Sequence, residues 1–148
     1  MRHILFSLLF TLTLVSATAP KNAKLIDWEM LSEIDFKDQY SDELEGWYVY
    51  PVFPEHIKAL DDQLVSIKGY IIPVDVDGEE YALSAYPFSS CFFCGGAGPE
   101  SVMTLNFKKS PRRYKTDEVI RFMGKLKLND SDIDSFCYIL NDAQPIEE

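Results

Sequence analysis

The residues best equipped for chemistry lie in one stretch, SSCFFCGGAGPES, from Ser89 to Ser101. Cys91 and Cys94 stand three apart, two phenylalanines fill the gap, and glycines follow at once. Three chemistries use such a pair. In a metal knuckle, the glycine after the second cysteine lets the backbone bend until amide N–H groups point at the thiolates. That lowers the thiol pKa and holds a soft cation such as zinc or copper(I). In an oxidising compartment the same two sulfurs form a disulfide that stiffens a loop. In a thiol–disulfide oxidoreductase the first cysteine sits at a helix N-terminus, where the macrodipole stabilises its thiolate. The third use fits poorly, because Gly95-Gly96-Ala97-Gly98-Pro99 cannot start a good helix.

A closed zinc site needs four ligands. Cys137 and His56 could complete a set with Cys91 and Cys94, but nothing in the spacing brings them together. Cys137, in FCYIL, is expected to be a small buried core residue. His56, in PEHIK, is expected on the exposed side of a short helix. The candidate metal ligands are therefore Cys91 and Cys94, with zinc or copper as the candidate metal. The Gly95–Gly98 run could also offer backbone amides to an anion, although it lacks the lysine of a nucleotide loop. No nucleophile–histidine set is apparent, so no catalytic residue is assigned. DVDGEE, around Asp77-Gly78, reads as a hairpin turn rather than a calcium loop.

Elements must position this loop, and the chain supplies strands. In QLVSIKGYIIPV, Val65, Ile67, Gly69 and Ile71 alternate with Ser66, Lys68 and Tyr70, a period of two. YALSAYPF reads as the returning strand and SVMTLNF as a third. EVIRFMGKLKLN alternates again, with Ile120, Phe122, Gly124, Leu126 and Leu128 on one face, and FCYILNDAQPI is the fifth. Gly69 and Gly124 each fall mid-strand on the inward face, where a small sheet must bend sharply. The expectation is a mainly β, five-stranded OB-like barrel. A short helix is expected from Trp28, capped by Asp27, to about Ile34, and another from Pro54 to about Leu60. Asp35 to Gly46 shows no clear period, and Pro51 and Pro54 limit GWYVYPVF to an edge or irregular strand.

The chain opens with a basic head, Arg2 and His3, an apolar run from Ile4 to Val15, and small residues after it. This is the layout of a signal peptide, residues 1–17, with cleavage after Ala17. The run is too short to span a bilayer. A flexible leader, 18–25, and a single domain, 26–146, are expected to follow, and the product is expected to be exported, periplasmic or secreted. The formal charge of −10 repels phosphate backbones and anionic lipid surfaces. Nucleic acid is thus a poor partner, and an envelope protein or transport component a better one.

GYIIPVD, LSAYPFSSCFFCGGAGPESVM and GKLKLNDSD together resemble a family of small exported bacterial proteins of unknown function, over roughly Trp28 to Ala143. The resemblance implies an exported, OB-like domain and brings no catalytic residues. Two functional expectations result. One is an exported module that binds a soft metal through the C-x-x-C-G loop, in metal handling or envelope transport. The other is a structural or interaction domain whose loop a Cys91–Cys94 disulfide stiffens and whose aromatic patch meets a partner.

Overall fold

A computed structural model describes residues 23–42, 45–75, 80–109, 112–132 and 135–146. The expected signal peptide, most of the leader and the Asp77-Gly78 turn lie outside the described residues.

The chain runs β1 (Lys24–Leu25), α1 (Trp28–Leu31), β2 (Asp35–Ser41), β3 (Gly46–Val52), α2 (Glu55–Lys58), β4 (Leu64–Pro73), β5 (Tyr81–Ser84), β6 (Val102–Phe107), β7 (Val119–Leu128) and β8 (Tyr138–Ile146). Strands β4, β5, β6, β8 and β7 pair in that order, and β7 pairs back onto β4. The sheet closes into a five-stranded barrel in which β6 and β8 run parallel and the other pairs antiparallel. Closure removes the sheet edges that a small open sheet would expose. Lys24 and Leu25, expected in the leader, instead pair with Val65 and Ser66 of β4.

The two mid-strand glycines stand where backbones pass closest. A Cβ on Gly69 would lie 2.6 Å from the Ser84 carbonyl oxygen, and one on Gly124 would lie 2.6 Å from that of Asn141. At Gly124 the β7–β8 register shifts, and Asp142 on the opposing strand takes a left-handed φ of 54°. This is a bulge that bends the pair. Inside, Val65, Ile67, Ile71, Phe122, Leu126 and Leu140 are fully buried. The alternation of β4 and β7 therefore reports the inward face correctly.

Both helices are shorter than expected. Asp27 Oδ1 accepts from the Met30 N–H at 2.9 Å, and Ser32 already caps α1. Pro54 stands at the N-cap of α2. Leu31, Ile57 and Leu60 seal the barrel beneath them, and the Tyr138 hydroxyl donates to the Leu31 carbonyl at 2.7 Å. Between the helices, Asp35–Ser41 is a strand, contrary to the aperiodic reading. It pairs along its full length with β3, from Asp35 opposite Val52 to Ser41 opposite Gly46. Its residues alternate poorly because the two-stranded sheet leaves most of both faces in solvent, so pairing rather than burial specifies it. Phe53, at the base of this hairpin, packs its ring 5.8 Å from Tyr138 and anchors the hairpin to the core.

Candidate functional site: the cysteine loop and an aromatic groove

The cysteine segment connects β5 to β6. YALSAYPF is a strand only as far as Ser84. Three one-turn 3-10 segments follow, Phe88–Ser90, Phe92–Cys94 and Pro99–Ser101. The loop is tied at its base and its side. Ala85 N–H donates to the Ser101 carbonyl at 2.9 Å, Tyr86 N–H to Ser84 Oγ at 3.1 Å, and Phe88 N–H to Asp117 Oδ1 at 2.7 Å.

Within the loop the two cysteines have opposite fates. Cys91 is fully buried, and its thiol donates to the Phe88 carbonyl at 3.0 Å. Cys94 is exposed, and both are free thiols. The disulfide considered from the sequence is not formed here. The amide N–H groups of Cys94 and Gly96 donate to the Cys91 carbonyl at 3.2 and 3.1 Å rather than pointing at sulfur. Gly95 N–H goes to the Phe92 carbonyl at 2.9 Å. The Gly95 and Gly96 amides are thus used inside the turn and do not form an anion cradle. Gly95 closes the turn at φ 71°, a left-handed conformation that favours glycine.

Cys137 lies at the start of β8, buried, with its thiol donating to the Pro99 carbonyl at 3.4 Å. Burial and the nearby Glu100 carboxylate push its pKa up to about 12, so it stays a thiol at neutral pH. This is the core role its sequence suggested. His56, in α2, faces Glu33 at 3.2 Å with half its side chain in solvent. Among the described residues, no group of three or more His, Cys, Asp or Glu side chains is gathered as metal ligands.

The loop instead builds the wall of a groove. Phe92, Phe93 and Phe136 form a mutual edge-to-face trio with centroids 5.7 to 6.0 Å apart. Phe92 and Phe93 keep 36% and 42% of their surface exposed, so they do not cap the core. Beside them opens a cleft of about 430 Å³ whose apolar walls are Phe36, Tyr48, Phe92, Pro99, Phe136 and Cys137. It shares Tyr50, Pro51, Ser131 and Asp132 with a shallower, more polar hollow of about 770 Å³ toward Asp42 and Asp130. The two make one groove, aromatic at the cysteine loop and polar at the far end, where Asp42, Asp130 and Asp132 outnumber Lys37.

Residues Tyr48 to Pro51 of β3 line this groove, together with Phe36, Lys37, Gln39 and Ser41 of β2. In the described sheet β3 pairs with β2 alone. Pro51 is tolerated for that reason, since an edge strand needs no ladder N–H there. The hairpin also exposes Trp47 and Val49, 71% and 64% in solvent, and Tyr40, whose ring meets Trp47 edge-on at 5.7 Å. Sequence reasoning singled out the cysteines and the phenylalanines between them. It missed the groove because three segments distant in sequence, 36–51, 92–99 and 129–137, meet to form it.

No protein-family model matches this chain, and no curated protein matches it. A crystal structure of a DUF3299 family protein from Pseudomonas aeruginosa PAO1 is similar in fold, with a TM-score of 0.54. That likeness covers 86% of this chain and 99% of the other, at 14% sequence identity. At this identity the likeness speaks for the fold alone. It bears out the small five-stranded barrel expected from the strand pattern.

Proposed function

We propose that this chain is an exported interaction module that holds an extended segment of an envelope protein in the groove between the β2–β3 hairpin and the barrel. One observation carries the reading: β3, whose ladder among the described residues is with β2 alone, lines a cleft that is aromatic at one end and mostly acidic at the other. A peptide that adds a strand to β3 gains main-chain hydrogen bonds, and its side chains enter flanking pockets. The trio of Phe92, Phe93 and Phe136 takes an apolar or aromatic residue. Asp42 and Asp130, which outnumber Lys37 in that lining, attract a lysine or arginine a few residues along. The basic head and the apolar run Ile4–Val15 support export, and the net charge of −10 favours a basic segment over a phosphate backbone.

The test is a random peptide library displayed on phage and panned against the immobilised protein. Enriched sequences should pair an aromatic residue with a downstream Lys or Arg and should lose binding to Phe136→Ala. No enrichment, or peptides that bind Phe136→Ala equally well, would overturn the proposal.

A second reading keeps the Cys91-x-x-Cys94-Gly95 turn as a soft-metal clasp, and the left-handed Gly95 favours it. The donors fit only in part. Cys94 is open to solvent, Cys91 must release the Phe88 carbonyl, and Cys137 and His56 are committed elsewhere. Two thiolates suit copper(I) better than a four-ligand zinc site. A bound metal would fix the loop that carries Phe92. Elemental analysis of protein purified from its own compartment, with thiols counted by mass, tests this reading. A stoichiometric metal lost in Cys91→Ser supports it, and metal-free protein sinks it.

A further inference from the structure

The β6–β7 connection carries a charge that the rest of the molecule does not. Lys108, Lys109, Arg112, Arg113 and Lys115 fall within eight residues that contain no acid, so a total of −10 divides into +5 on this segment and −15 on the remainder. The described part of the segment is held in place by aromatic packing. Tyr114 is buried, stacks on Phe107 at 6.0 Å and meets Tyr81 edge-on at 5.4 Å. Its N–H donates to the Tyr81 hydroxyl at 3.2 Å. Arg112 lies over the Tyr114 ring, 4.1 Å from its centroid, while its guanidinium bonds Glu118 at 2.6 Å. Arg112 is therefore neutralised and fixed as a wall.

Lys108 and Lys109 are different. Both are exposed, and among the described residues no carboxylate lies within ion-pair distance of either. They stand at a cleft of about 380 Å³ whose apolar surface comes from Phe107, Tyr114, Ala143 and Pro145. We infer that this cleft is a second binding site, distinct from the groove, for an acidic peptide segment that bears an apolar side chain. The lysines meet the carboxylates and the aromatic floor takes the apolar residue.

Shape and charge choose this occupant. An anionic membrane is recognised by apolar side chains that protrude beside the cations. Here the apolar surface is recessed, and none of the strongly exposed large apolar side chains among the described residues lies on this cleft. The acidic remainder of the molecule also repels an extended anionic surface. A short segment meets chiefly Lys108 and Lys109, because opposing charges more than about 10 Å away are largely screened at physiological salt.

The probe is a fluorescein-labelled peptide that alternates Glu with Phe, with fluorescence anisotropy as the readout. Inorganic phosphate and vesicles of phosphatidylglycerol in phosphatidylcholine are run in parallel. The peptide should bind, should weaken as salt rises, and should lose roughly tenfold or more in affinity in the Lys108→Glu, Lys109→Glu double variant. That variant should melt like wild type, since among the described residues neither lysine side chain has an ion-pair partner to lose. Phe136→Ala should bind the peptide unchanged, which separates this site from the groove. Binding to vesicles but not to the peptide would overturn the inference. So would full competition by phosphate alone, peptide binding that survives the double variant, or no binding to any probe.

Discussion

Gly124→Ala is the sharpest perturbation of the scaffold that holds both sites. The added Cβ would stand 2.6 Å from the Asn141 carbonyl oxygen and 2.9 Å from Leu140 Cγ. Ordinary contact begins near 3.4 Å, so β7 and β8 must part by most of an ångström at their bulge. The nearest obstacle is backbone, which cannot rotate away. Overpacking of this kind costs about 1–3 kcal/mol, and two stretched ladder hydrogen bonds add about 1 kcal/mol each. The total, roughly 3–5 kcal/mol, is a large share of the 5–15 kcal/mol typical of a domain. For a chain of this size it lowers Tm by roughly 10–20 °C. Gly95→Ala is the control. Its Cβ meets nothing within 4 Å and only the left-handed φ of 71° opposes it, so the cost is about 1 kcal/mol and falls on the loop. Thermal unfolding followed by circular dichroism compares the two. A Gly124→Ala protein that melts within a degree or two of wild type would refute the close-approach argument for barrel closure.

Three further outcomes follow from particular side chains. With iodoacetamide under native conditions, Cys94 should be modified first. Cys91 and Cys137 should wait for unfolding, and peptide mass mapping reads the order; equal labelling of all three would contradict their burial. Asp61 loses some favour through desolvation, but the Leu128 N–H and the Lys127 ammonium outweigh that and hold its pKa below the usual value. A lowered folded pKa stabilises above the unfolded value, about 3.9, and the benefit fades as pH falls through the folded one. Asp61→Asn should thus cost about 1 kcal/mol at pH 7, discounted for solvent screening, with the gap to wild type closing below about pH 4 in urea titrations. A gap that stays constant to pH 2 would contradict this. Lastly, Phe136→Ala removes the ring that both Phe92 and Phe93 abut. The trio is partly exposed, so stability should fall by only about 1–2 kcal/mol, while affinity for groove-selected peptides should fall far more.

The barrel was readable because its strands obey a strong rule. Val65, Ile67 and Ile71, then Phe122 and Leu126, alternate inward, and Gly69 and Gly124 mark the places where a side chain cannot fit. The hairpin was half readable. WYVY carries β-branched and aromatic residues, but DFKDQYS becomes a strand only through its partner. Cys137 and His56 match their core and surface readings because local context, FCYIL and PEHIK, is enough to set burial. The different exposures of Cys91 and Cys94 were not readable. They depend on how three successive 3-10 turns wind against the barrel, which a C-x-x-C spacing does not encode. The groove was hidden for the same reason, since its walls come together only in three dimensions. An exposed aromatic trio beside an edge strand is the signal that reveals it.

The central claim is that the groove along β3 is the binding surface. Its most direct test is a titration of isotope-labelled protein with a library-selected peptide, followed by amide chemical shifts. Shifts should concentrate in Tyr48 to Val52, in Phe92 and Phe93, and in Phe136 and Cys137, and should vanish in Phe136→Ala. Shifts confined to the opposite side of the barrel, with these residues unmoved at saturation, would contradict it.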